Sequence, residues 1–218
     1  MTPASRAANP AARKQDASAP PDRAETRERI IRVATAQFKA AGYEGTTMSA
    51  IARASGVTTP ALYWHFRSKE EIAFASIERV YDEMYEALLA ANHGSSAADR
   101  LRSVVGVWVR TVLGDPELQT GLNSHQLLAA LSDEHREVLR RKDREFEQLM
   151  LAILSDGATE GLFEINDPVI TTGVIITACD YAFVWLQSGR KRSVDYIAER
   201  FGELMVAMVS HSASGRSK

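Results

Sequence analysis

The sequence predicts an all-α protein of about nine helices, and three observations carry that expectation. Apolar residues recur at three- and four-residue spacings from Asp22 almost to the end of the chain. Capping residues punctuate those runs at regular intervals, and no run alternates with the two-residue period of a strand. At 218 residues the chain is long enough for a substantial core. Its 45% hydrophobic and 25% charged residues place it with soluble globular proteins rather than with fibrous or disordered chains.

Each element has its own signal. Residues 1–22 are Ala-rich with Pro3, Pro10, Pro20 and Pro21, have little to bury, and read as a flexible arm. Asp22 is placed to cap a first helix with Ile30, Val33, Ala34, Ala36, Phe38 and Ala41 on its apolar face and Gly42 as its stop. Thr47 and Thr58 then head two short helices. Ser68-Lys69-Glu70-Glu71 is a capping box that opens a long helix towards Asn92, and Gly94-Ser95-Ser96 breaks it. Ser96 and Asp99 begin the next helix, which ends at Gly114; Asp115-Pro116 is an N-cap followed by proline at the first helical position. A long helix runs from Ser132 to Glu160 with Gly161 behind it. Asp167-Pro168 opens another that is expected to stop at Gly189, and Ser193 caps the last. The expected organisation is an arm over 1–22, a three-helix domain with a helix-turn-helix over 23–68, and a helical body over 69–218.

Several function classes are disfavoured. The one cysteine, Cys179, lies in an apolar stretch and reads as a small buried side chain. No Cys/His cluster suggests a metal, and no Gly-rich phosphate loop or nucleophile elbow suggests a cofactor or an enzyme. Glu134-His135 lacks the second histidine of a zinc motif. The most apolar run, Val169–Leu186, is interrupted by Thr171, Thr172, Thr177 and Asp180, so no membrane span is expected. The N-terminus lacks the apolar run of a secretion signal, which points to the cytoplasm. Charge is uneven: residues 1–70 carry 11 Lys/Arg against 6 Asp/Glu, and the remainder 15 against 22. A basic end on an acidic body suits contact with a polyanion.

The informative stretch is 46–66. Ile51 and Ala52 share one face of the first short helix, and Gly56 sits where the inter-helix turn needs a left-handed residue. Thr58 heads the second short helix, with Pro60 in its first turn. Leu62 and Phe66, four residues apart, face inward, which leaves Thr59, Ala61, Tyr63, Trp64 and His65 outward. A helix displaying such groups suits the DNA major groove, where Thr reaches base edges or a thymine methyl and Tyr or His bonds phosphate.

At Phe38, Gly42-Tyr43, Thr46-Thr47, Ile51-Ala52, Ser55-Gly56-Val57, Leu62 to Phe66 and Lys69-Glu70 the chain resembles the tetracycline-repressor (TetR) family of bacterial regulators. The resemblance covers about fifty residues, the size of one small recognition domain. It implies phosphate contacts from Thr47, Tyr63, His65 and Lys69, and base or groove contacts from Thr58, Thr59, Pro60 and Ala61. Trp64 is a further DNA-contact candidate unless it packs on the first helix. Arg23, Arg27 and the arm's Arg6, Arg13 and Lys14 are either phosphate contacts or solvated charge.

Downstream, the resemblance is one of architecture. It implies dimerisation through the last two helices, and hence a palindromic double-stranded operator. The residues support this separately: Val169–Leu186 is apolar on nearly every face, and the last helix carries Ile197, Phe201, Leu204, Met205 and Met208. The middle helices are expected to enclose a small-molecule effector, with Trp108, Thr111, His125, Gln126, Phe146, Met150, Tyr181 and Trp185 as wall candidates that would otherwise be ordinary core. The segment from Leu139 to Val209 is similar to members that regulate fatty-acid and sterol-ring catabolism, which implies an acyl-CoA effector. Arg136, Arg140 and Arg144 share a face, but the interleaved acids favour a solvated salt-bridged surface. The expected function is thus a DNA-binding repressor released by a small molecule; the alternative is a constitutive DNA-binding regulator without an effector.

Overall fold

The computed structural model describes residues 22–114, 125–183 and 192–210. Among them are nine helices: α1 (Arg23–Gly45), α2 (Met48–Ala54), α3 (Thr59–His65), α4 (Lys69–Ala91), α5 (Ala97–Gly114), α6 (His125–Ala129), α7 (Asp133–Thr159), α8 (Pro168–Asp180) and α9 (Val194–Val209). No strand forms among the described residues; one isolated bridge joins Phe163 to Ser210. None of the described helices is long and apolar enough to cross a membrane.

The caps read from the sequence largely form. Thr47, Thr58, Ser132 and Ser193 each accept the N–H of the residue three positions on, and the Asp167 carboxylate accepts from both Val169 and Ile170. Four details differ. Asp22 precedes α1 but makes no side-chain cap bond. Gly42 does not end α1: it takes a left-handed φ of 73° that kinks the helix, which resumes as far as Gly45. In the capping box Ser68 accepts from Glu71 N–H, but the Glu71 carboxylate returns to Arg67 N–H rather than to Ser68. α8 ends at Asp180, where Tyr181 leaves helical geometry, well before the expected stop; Gly189, like Asp115-Pro116, lies outside the described residues.

Two packing units share a continuous core. Ile30, Ile31, Ala34 and Phe38 of α1 close over Ile51, Ala52, Leu62 and Phe66 of the two short helices and over Ile72 and Ala73 of α4. In the body, α5 is central and touches α4, α7, α8 and α9. Its apolar residues Leu101, Val104, Val105, Trp108, Val109 and Val112 are all buried. α9 lies along α5 so closely that a Cβ at Gly202 would stand 2.9 Å from the Arg102 carbonyl oxygen. The far end of α7 is stapled to the start of α5, where Arg100 pairs with Asp156 at 2.9 Å and Glu160 accepts the Ala97 N–H at 2.8 Å. Arg136, Arg140 and Arg144 pair with Asp133 and Glu137 of their own helix, as the interleaved charges suggested.

Candidate nucleic-acid interface and ligand pocket

Helix α3 is presented by what it buries. Leu62 and Phe66 are fully buried beneath it, so the rest of its short circumference faces outward. Gly56 takes φ 68° in the turn that sets the two short helices at an angle, and Val57 N–H closes the turn on the Ala52 carbonyl. Two side chains of α1 hold this unit from behind: Arg29 donates to the Ser55 carbonyl at 3.1 Å and Gln37 to the Ala50 carbonyl at 3.2 Å. Neither was singled out in the sequence, because their partners are main-chain groups and leave no side-chain signal.

Outward stand Thr58, Pro60, Tyr63 and Trp64, all exposed, with Thr59, Ala61 and His65 half-buried at the edges. Trp64 is 76% exposed, so it does not pack on α1; only its carbonyl is touched, by Arg23. Thr47 is exposed at the start of α2 with its hydroxyl engaged as the cap. Arg23, Arg27 and Arg29 approach His65, and burial together with their positive charge lowers its imidazole pKa. The Arg27 guanidinium lies 4.9 Å from the Phe66 ring centroid, which orients it beside α3. Lys69 is more constrained than the sequence suggested. Its ammonium donates to the Tyr43 carbonyl at 2.7 Å, sits 4.0 Å over the Tyr43 ring and lies 4.0 Å from the Glu44 carboxylate. It therefore also tethers the start of α4 to the end of α1.

The next residue links this unit to the body. Glu70 accepts from the Ser132 N–H at 2.7 Å and pairs with His135 Nδ1 at 2.8 Å, and the His135 ring stacks on Phe74 at 4.1 Å. Chiefly the Ser132 N–H, then the His135 bond, hold the Glu70 carboxyl below the usual range.

A pocket of about 230 Å3 opens between α4, α5, α7 and α8, lined by Tyr81, Met84, Trp108, Asp143, Phe146, Glu147, Ile176 and Asp180. Of the expected wall residues, Trp108 and Phe146 line it. Met150 is fully buried and does not line it, Thr111 is half-buried with its hydroxyl bonded to the Val107 carbonyl, and Tyr181 is exposed. The side chains of His125 and Gln126, and all of Trp185, lie outside the described residues, as do Arg6, Arg13 and Lys14. Asp143, Glu147 and Asp180 were not anticipated as pocket residues. Asp180, the one charge in the apolar run, was the available signal, since a polar group there must find a partner. That partner is the Trp108 indole N–H at 2.9 Å.

One side of the body is apolar and open. Thr172, Ile175 and Cys179 of α8 face the core, while Val169, Ile170 and Val174 are 72%, 65% and 49% exposed. On α9, Ile197 is buried, Phe201 and Met205 are half-buried, and Leu204 and Met208 are exposed. Ile170, Val174 and Met208 meet in one surface groove.

Comparison with known proteins agrees with this architecture. Residues 30–75 match the model of the bacterial regulatory proteins of the tetR family, and residues 94–209 match that of the tetracyclin repressor-like C-terminal domain. The chain is 30% identical to the HTH-type transcriptional regulator SrpR of Pseudomonas putida over 159 residues, 65% of each protein. It is 36% identical to the regulator TtgR of Pseudomonas putida over 77 residues, which span 35% of this chain and 36% of TtgR. A solved bacterial regulatory protein in the tetR family from Rhodococcus RHA1 superposes with a TM-score of 0.78 at 26% identity, over 86% of this chain and 98% of that one. With both family models matched in chain order, one on the helix-turn-helix and one on the helical body, the chain belongs to the tetR family of bacterial regulatory proteins.

Proposed function

We propose that the protein is a homodimeric, sequence-specific DNA-binding repressor that leaves its operator when a small molecule fills the pocket beside Trp108. The observation that carries the reading is Trp64: a tryptophan 76% exposed, next to exposed Tyr63, on a helix whose other face is fully buried. Apolar display of this kind on a small surface marks an interaction site. The arginines around His65 supply the positive field that a duplex requires. In this reading Thr58, Thr59, Pro60 and Ala61 meet base edges or the groove, and Thr47, Tyr63, His65 and Lys69 meet phosphates. Residues 23–68 form the reading head, and 69–218 the effector-binding and dimerising body.

The open apolar side of α8 and α9 supports dimerisation through those helices, because Val169, Ile170, Val174, Leu204 and Met208 together leave a surface that water covers poorly. Two heads related by a twofold axis would read a palindrome. Acyl-CoA is the effector class implied by the resemblance, but among the described residues the pocket wall presents three carboxylates and no basic side chain, which disfavours entry of a phosphorylated group. Selection of bound sites from a random duplex pool tests the whole reading: a palindrome is expected, and no enriched sequence would overturn it. Thr59→Ala should relax base preference at one position, whereas equal losses on all sequences would contradict its role. Ile170→Glu with Leu204→Glu should yield a monomer by sedimentation; an unchanged dimer would remove α8 and α9 from the interface.

A further inference from the structure

We propose that the pocket beside Trp108 takes a small organic cation, an arylalkyl ammonium, with its charge held by Asp180 and its ring walled by Tyr81, Trp108 and Phe146. This rests on the reading of the body as an effector domain, and it names the ligand class.

The wall is aromatic. Phe146 lies 5.4 Å from Trp108 and 5.7 Å from Tyr81 between ring centroids, and all three are buried. Such faces attract a cation held within about 6 Å of the centroid. The charged groups among the described lining residues are all acidic: Asp180 is half-buried against Trp108, while Asp143 and Glu147 are exposed. Their only hydrogen-bond donors among the described residues are neutral, the Trp108 indole to Asp180 and the Tyr81 hydroxyl to Asp143. Among the described residues none of the three makes an ion pair within 4 Å; the one cation that bears on them is Arg144, whose charge partly offsets the shift at Asp143. Indole bonding accounts for one Asp180 oxygen, and among the described residues no donor is bonded to the second.

A partly buried carboxylate without a paired cation is costly, and at Asp180 the cost is visible. Desolvation, followed by the neighbouring charge of Asp143, pushes the Asp180 carboxyl up to about 6. Desolvation likewise raises Asp143, with Glu147 adding to it. An entering ammonium relieves both effects, whereas an entering carboxylate or phosphate compounds them. Size narrows the class further. A cavity of about 150 Å3 admits one benzene ring, so the volume here, about 230 Å3, suits one ring and a short aminoalkyl chain.

The test uses the full-length protein at pH 7.5, where Asp180 is ionised, and three probes of similar size: phenethylamine, 2-phenylethanol and phenylacetate. Calorimetric titration should give phenethylamine at least tenfold tighter binding than the alcohol, and no saturation with the carboxylate. Asp180→Asn keeps an acceptor for Trp108 and should abolish the preference for amine over alcohol while leaving Tm within a few degrees. Asp143→Asn, at the mouth, should reduce that preference without abolishing it. Equal affinity for amine and alcohol, tighter binding of the carboxylate, an undiminished preference in Asp180→Asn, or no saturable amine binding would each overturn the assignment. DNA binding measured on the same preparation without ligand separates the two failures. If amine binding fails in a protein that selects an operator, only the ligand class falls; if no duplex is bound, the repressor reading itself falls.

Discussion

Glu70→Ala tests how the reading head is joined to the body. Glu70 sits in the first turn of α4, and its carboxylate takes the Ser132 N–H at the start of α7 and the His135 ring. Hydrogen bonds to an ionised group contribute about 1.5–3 kcal/mol each when shielded. Here the Glu70 and His135 side chains are 30% and 26% exposed, so solvent screening reduces the pair to about 1–2 kcal/mol in total. For a chain of this size that is a fall in Tm of about 2–8 °C at fixed protein concentration. A double-mutant cycle with His135→Phe isolates the contact, because phenylalanine keeps a ring on Phe74 and loses only the bond to Glu70. An interaction energy of about 0.5 kcal/mol or more is expected. Additivity of the two substitutions would refute the account. The pH dependence has a definite sign. Glu70 titrates below its usual value in the folded protein, so its contribution is complete above the unfolded carboxylate value. The Tm gap between wild type and Glu70→Ala should therefore hold above pH of about 5 and close as the pH falls below about 4.

Other substitutions separate recognition from stability. Trp64→Ala should leave Tm nearly unchanged, since the side chain is 76% exposed, and weaken operator binding about tenfold or more, read by fluorescence anisotropy. Lys69→Ala should lower the slope of log affinity against log salt by about one charge. It should also lower Tm, because the bond to the Tyr43 carbonyl is lost; an unchanged Tm would mean that this tether adds nothing. Phe66→Ala, which empties a fully buried site under α3, should cost about 3–5 kcal/mol in denaturant unfolding and abolish DNA binding. Gly202→Ala should destabilise by about 1–3 kcal/mol, because the new methyl meets the Arg102 carbonyl at 2.9 Å and α9 must move off α5.

The secondary structure and the shape of α3 were legible in the sequence because their causes are local. A threonine cap needs only a neighbouring N–H, and the four-residue step from Leu62 to Phe66 sets which side chains of α3 remain outside. The left-handed turn at Gly56 is equally local. The end of α8 at Asp180 was missed because helical periodicity carries on past it, and nothing in the adjacent residues announces the stop.

What only the tertiary structure decided involves groups far apart in the chain. Asp180 meets Trp108 from 72 positions away, and Glu70 meets His135 from 65. No periodicity encodes such pairings: the sequence signals that Asp180 needs a partner, but which residue supplies it depends on how the helices pack. The same holds for the bond from Lys69 to the Tyr43 carbonyl, 26 positions away. Sequence alone determined where most helices begin and which face of α3 is free. Packing decided where charge gathers, because the field at a pocket depends on distances between helices rather than on the order of residues within one.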